Sequence, residues 1–186
     1  MAIKWKHGDD CAMYFCTFTC YQWLPLFETI SGYDLVYKWF AYLNTKNVYV
    51  PAYVIMPNHV HVILYFPEPG YDLNTIISNG KRFMAYDILK RLKEAGRNDI
   101  LNYLSEAVSE REAKKGQLHK VFEDSFDAKG IYTDKFFNQK LDYIHYNPVS
   151  GKWNLADDFT KYEHSSASFY ETGVAKNYHP FDYRDV

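Results

Sequence analysis

The fold class this chain predicts is an α+β sandwich, an antiparallel sheet covered by helices. Three observations predict it. Apolar periodicity switches along the chain between strand-like and helix-like stretches, in the order strand, helix, strand, strand, helices, strand, helix. The second and third strands are separated only by Pro57-Asn58. That gap suits a hairpin-like reversal, so the two pair antiparallel. The length, 186 residues, is that of one domain able to bury a core without covalent staples. The domain spans residues 1–170, with a tail over 171–186.

Residues 1–13 read as an irregular lead-in. Tyr14–Tyr21 is a strand by its Phe, Thr and Tyr content. Leu26–Asn44 carries Phe27, Ile30, Leu35, Val36, Trp39, Phe40 and Leu43 at helical spacing. Val48–Met56 and His59–Phe66 are the paired strands. Residues 67–71 form a loop. Leu73–Lys93 is helical, with Gly80 a candidate break. Ile100–Lys115 is a second helical piece, and Lys120–Phe126 the fourth strand. Thr133-Asp134 opens a strong helix through Phe136, Phe137, Lys140, Leu141 and Ile144. Pro148 closes it, because a residue before proline resists helical geometry. From Ser150 onward the chain is aromatic and polar, without a period.

Composition narrows the function classes. Aromatic residues make up 19%, and the 18 tyrosines serve either as packing with polar tips or as stacking platforms. The three cysteines, Cys11, Cys16 and Cys20, form no disulfide framework without a signal peptide; Cys16 and Cys20 pack in the first strand. No apolar run is long enough to cross a membrane, so no membrane partner and a cytoplasmic location are expected. Net charge is −2 and the pI about 6.4, not the basic signature of a nucleic-acid binder. Charge is uneven, however. Lys81, Arg82, Lys90, Arg91, Lys93 and Arg97 cluster, while Asp157, Asp158, Glu163 and Glu171 make a later stretch acidic.

The chemistry lies in His59-Val60-His61. Histidines at i and i+2 of a strand point to one face, and two imidazoles are two thirds of a metal site. The other reading is a satisfied pair of core histidines. On the last strong helix, Tyr143 and Asn147 stand at i and i+4 and share a face. Asn147 can offer a carbonyl oxygen to a hard cation, completing a site of two imidazoles and one oxygen with positions open to substrate. Tyr143 beside that cation is a candidate nucleophile. A metal-dependent hydrolase with water as nucleophile would leave Tyr143 and Asn147 unexplained.

Two segments together carry a family likeness. YVIMPNHVHVILYF (residues 53–66) and KLDYIHYNPVSGKW (residues 140–153) resemble the motifs of the single-tyrosine transposases of the HUH superfamily, in particular the REP-associated tyrosine transposases. YFCTFTCYQWLPLF (residues 14–27) resembles their first strand and YEHSSASFY (residues 162–170) the segment after their last helix, so the likeness covers residues 14–170. It implies a ferredoxin-like sandwich. It implies His59 and His61 as metal ligands, Asn147 as the third, Tyr143 as the catalytic tyrosine, and Mg²⁺ or Mn²⁺ as cofactor. The implied activity is cleavage and transfer of single-stranded DNA near a hairpin, through a 5′-phosphotyrosine link that releases a 3′-OH. The partner is single-stranded DNA with hairpin structure, and the protein a monomer or a homodimer. Lys81 and Arg82 resemble a helix segment of the family and, with Lys140, are candidate DNA-backbone contacts. His145 and Tyr146 lie on other helix faces and read as packing or exposed residues. The sequence departs from the family pattern at Phe122-Glu123-Asp124 and at Ser150–Trp153; neither departure removes a chemical group. A domesticated hairpin-DNA-binding protein with weak or no catalysis is the alternative.

Overall fold

The computed structural model describes residues 12–185; Cys11 and most of the expected lead-in lie outside them. Strands β1 (Met13–Thr19), β2 (Tyr49–Ile55), β3 (His59–Tyr65) and β4 (Asp127–Ile131) form one sheet in the order β2-β3-β1-β4, and all neighbours are antiparallel. Between β1 and β2 run α1 (Leu26–Thr29) and α2 (Tyr33–Asn44). Between β3 and β4 run α3 (Leu73–Glu94), α4 (Asn98–Glu106) and α5 (Glu110–Ala113). Helices α6 (Asp134–Tyr146) and α7 (Ala167–Thr172) follow. Sequential order and strand order together make the ferredoxin-like arrangement.

Alternation along the strands sorts side chains between two layers. Tyr14, Cys16 and Phe18 of β1 and Val60, Val62 and Leu64 of β3 face α2 and α3, whose Val36, Phe40, Ile77 and Ile88 fill the larger core. Phe15, Ala52, Val54 and Ile63 face the other way, onto Phe137 and Ile144 of α6 and onto Tyr162. The histidines of β3 share this second face. Cys16 and Cys20 are buried free thiols, as packing residues should be.

The fourth strand is displaced from its expected place. Residues 120–126 make one isolated bridge, Cys20 to Phe122, and the strand proper is Asp127–Ile131. Asp, Lys and Gly there have poor strand propensity, so local sequence does not announce it. Pairing with β1, from Thr17↔Asp127 to Met13↔Ile131, makes it a strand. The helix expected over residues 26–44 is broken at Ser31-Gly32, where Ser31 has φ 48°. Residues 100–115 hold two short helices, the second started afresh by a capping box in which Ser109 and Glu112 satisfy each other's backbone N–H.

Gly80 does not break α3. The helix runs through it, and the missing side chain admits the Trp39 indole: a Cβ there would lie 2.6 Å from Trp39 Nε1. Trp39 is itself packed edge-on against Phe18. Gly80→Ala is therefore expected to destabilise. Overpacking of about 1–3 kcal/mol exceeds the gain of about 1 kcal/mol in helix propensity. A melting temperature equal to or above wild type would mean that the indole swings aside freely.

Beyond Pro148 the chain runs along the outer edge of β2. Ser166 N–H donates to Tyr53 C=O, Ile55 N–H to His164 C=O and Phe181 N–H to Val50 C=O. This covers an edge that would otherwise present unpaired backbone groups. His164 is a packing residue here, stacked on Tyr33 at 3.7 Å and hydrogen-bonded to the Tyr37 hydroxyl. Among the described residues no helix is long and apolar enough to cross a membrane.

Candidate active site and metal centre

His59 and His61 project from β3 toward α6, with only 4% and 5% of their surfaces exposed. Their Nε2 atoms face each other at 3.1 Å. Asn147, at the end of α6, brings its amide Nδ2 to 3.3 Å from His61 Nε2, and its Oδ1 is buried without a hydrogen-bond partner.

Neighbouring residues set the state of each ring. Asn58 Nδ2 donates to the carbonyl of Trp23 at 3.0 Å, which turns its Oδ1 toward His59 Nδ1 at 2.6 Å. An amide oxygen can only accept, so His59 Nδ1 carries the proton and Nε2 keeps a lone pair. His61 Nδ1 lies 2.7 Å from the Thr17 hydroxyl, which can accept its proton and leave the second Nε2 lone pair free. Burial, aided by the charge of Lys152, pushes the His59 pKa down to about 4. Burial, with His59 and Lys140 near, holds His61 well below its ordinary value. Both rings are thus neutral near pH 7, the form that ligates a cation.

The donor set fits a divalent cation. Two imidazole lone pairs converge, and a half-turn of the Asn147 amide presents its orphaned oxygen to the same point. Nδ1 partners that orient each ring are typical of ligating histidines. Among the described residues no three His, Cys, Asp or Glu side chains group to hold a metal. A closed structural site of zinc type is therefore absent there.

Tyr143 stands on α6 one turn before Asn147 and is 48% exposed. Its ring meets His61 edge-on at 5.0 Å and Phe15 at 5.9 Å. The Lys140 ammonium lies over the Phe15 ring at 4.6 Å and the Tyr143 ring at 5.5 Å. Burial and neighbouring Lys129 lower the Lys140 pKa. On the far side, Trp23 and Trp153 flank His59 at 5.5 and 6.1 Å.

One sheet face thus gathers His59, His61, Asn147, Tyr143 and Lys140. Lys81 and Arg82 lie on α3, in the opposite layer. The Lys81 ammonium donates to the carbonyls of Glu123, Asp124 and Ser125, and burial lowers its pKa to about 8. Arg82 is exposed over the Phe83 ring. His145 is buried against the Ser166 hydroxyl, and Tyr146 packs on Phe159.

No protein-family model and no curated protein matches the sequence. Among solved structures, a REP-associated tyrosine transposase bound to a REP hairpin superposes on 88% of this chain and 81% of its own, with a TM-score of 0.61 at 17% identity. The chain is similar in fold to that transposase. A second structure, a "putative transposase" from Deinococcus radiodurans, aligns over 75% of this chain and 95% of its own at 15% identity, with a TM-score of 0.44.

Sequence reasoning missed Thr17, which no motif marks. It became visible only through the strand register, which sets Thr17 opposite His61. Asn58 shows in the sequence only as part of the Pro57-Asn58 break, and its bond to His59 depends on the position of Trp23. Trp23 and Trp153 carried no signal beyond being aromatic.

Proposed function

We propose that this protein is a metal-dependent single-stranded DNA endonuclease and strand transferase of transposase type, acting near hairpins through Tyr143. One observation carries the reading. Two neutral imidazoles and an orphaned amide oxygen converge beside a half-exposed tyrosine. That set suits a nucleophilic displacement at phosphorus better than a packed core.

His59, His61 and Asn147 would hold Mg²⁺ or Mn²⁺. When bound, the ion polarises the phosphodiester and stabilises charge on its oxygens. The Tyr143 hydroxyl oxygen forms a bond to phosphorus and gives its proton to solvent. The bond from phosphorus to the 3′-oxygen breaks, and that oxygen takes up a proton to become a 3′-OH. The product is a 5′-phosphotyrosine, which keeps the bond energy, so reversal joins strands without ATP. Lys140, beside the phenol ring, adds positive charge where the phosphate must sit. Arg82, exposed on α3, is a candidate contact to the DNA backbone outside this centre, while the Lys81 ammonium is held by the carbonyls of Glu123, Asp124 and Ser125.

The test is a denaturing gel of the protein with Mn²⁺ and labelled single-stranded hairpin oligonucleotides. A covalent protein–DNA band that EDTA abolishes is expected. Tight binding with no band would assign the protein to the non-catalytic hairpin-binding alternative.

Asn58→Ala probes the support of His59. Without the amide, the ring is free to place its proton on Nε2. Mn²⁺ affinity, followed by calorimetric titration, is expected to fall about 10–100-fold, the usual effect of losing a partner that orients a ligand. Unchanged affinity would show that the Asn58 bond does not set the tautomer.

A further inference from the structure

The sheet face that carries the histidines also opens, next to His61, into a cleft of about 150 Å³. Thr17 and Thr19 of β1, Trp23, Glu123 and Ser125 from the segment leading into β4, and Asp127 at its start are among the residues that line it. The cleft adjoins the proposed metal site, since Thr17 also bonds His61 and Trp23 also packs against His59. Its size is of the order of one nucleobase.

Its chemistry excludes a phosphate. Glu123 and Asp127 make its lining acidic. The nearest cation, Lys81, directs its ammonium to the carbonyls of Glu123, Asp124 and Ser125, and Lys129, Lys140 and Lys152 lie outside the lining. A polyanionic strand therefore runs its backbone along the lysines and can enter the cleft only with a base. Trp23 is equipped to receive one. It is 56% exposed, and it sits in a turn where both Gln22 and Trp23 have left-handed backbones, φ 50° and 58°. An exposed indole is a stacking platform for any base.

Glu123 supplies the selection. Its Oε1 accepts from the Gln22 N–H at 2.8 Å, and its Oε2 has no hydrogen bond among the described residues. Lys81 fixes the backbone behind it by donating to the Glu123 and Asp124 carbonyls. An ionised carboxylate only accepts hydrogen bonds. Guanine alone offers two adjacent N–H donors, N1–H and the 2-amino group, on its pairing edge. In adenine and cytosine a ring-nitrogen lone pair lies beside the amino group and faces the carboxylate. In thymine two carbonyls flank the single N–H.

We propose that this cleft binds one unpaired guanine adjacent to the scissile phosphate, stacked on Trp23 and read by Glu123. The inference rests on the strand-transfer reading and adds a base preference to it. Lys81 becomes a positioning residue for the reader.

The experiment is fluorescence anisotropy of the full chain, in EDTA so that nothing is cleaved. The probes are labelled oligothymidylate and the same strand with one central guanine, inosine, adenine or cytosine. Wild type is expected to bind the guanine strand about tenfold tighter than oligothymidylate, the scale of one bidentate base contact. Inosine, which lacks the 2-amino group, should lose most of that gain. Glu123→Gln should bring the guanine strand down to the oligothymidylate level. Trp23→Ala should weaken every strand by about tenfold or more. Equal binding of all central bases by wild type overturns the cleft proposal and leaves the DNA reading standing. So does a guanine preference that survives Glu123→Gln. Failure to bind any strand also overturns the cleft proposal, and the covalent band on hairpin oligonucleotides then judges the strand-transfer reading separately. If Glu123→Gln does not fold, the inosine strand decides with wild type alone.

Discussion

Tyr143→Phe is expected to give a folded, DNA-binding protein that forms no covalent adduct. The substitution removes one oxygen and keeps the ring. That ring supplies the edge-on contacts to His61 and Phe15, so packing is retained. The hydroxyl belongs to a residue that is 48% exposed, and its loss should change stability by no more than about 0.5 kcal/mol. Strand cleavage should fall far more, by about 10⁴-fold or beyond, as it does when an enzyme loses its nucleophile. Tyr146 is the control. It is equally exposed, but its ring lies on Phe159 at 4.3 Å, away from the histidines. Tyr146→Phe should retain the adduct. An adduct that survives Tyr143→Phe and disappears with Tyr146→Phe would move the nucleophile. Cleavage without an adduct, equal in wild type and Tyr143→Phe, would identify water as the nucleophile and restore the hydrolase reading.

How much could be read from the chain depended on where the determining interaction lay. The β2–β3 hairpin and its histidine pair were visible because alternation and a two-residue break are local. The N-terminus of α6 was visible because Thr133 caps it by accepting from Phe136 N–H, and its end was marked by Pro148. β4 was misplaced by several residues. Its Asp127, Lys129 and Gly130 have no strand preference of their own, and only the partner strand β1 holds them extended. Gly80 has the same lesson in reverse: it suggests a break locally, and the Trp39 indole gives it another purpose. In the site, the residues proposed to act chemically stood out by type, whereas those that hydrogen-bond and orient them did not. Thr17 and Asn58 are ordinary residues until register and turn place them against imidazole nitrogens. Lys81 illustrates the limit of reading charge from sequence, since its ammonium faces three backbone carbonyls.

The metal reading has its sharpest consequence in thermal unfolding. A cation that binds only the folded chain adds about 2.7 kcal/mol at a concentration one hundred times its Kd. For a domain of this size each kcal/mol raises the melting temperature by about 2–4 °C, so Mn²⁺ should raise it by about 5–11 °C. His59→Ala and His61→Ala should each abolish that rise, and Asn147→Ala should reduce it. Asn147→Asp should retain it, since a carboxylate replaces the amide oxygen as donor. The metal-free proteins supply the necessary baseline. His61→Ala removes a buried side chain together with its bond to the Thr17 hydroxyl and should cost about 1–3 kcal/mol whether or not a metal ever binds. A lower melting temperature in the variants is therefore no evidence for a metal. The evidence is the loss of the Mn²⁺-dependent increment. If wild type shows no increment, or the variants keep all of it, the histidines are a hydrogen-bonded core pair. The orphaned oxygen of Asn147 would then need another explanation.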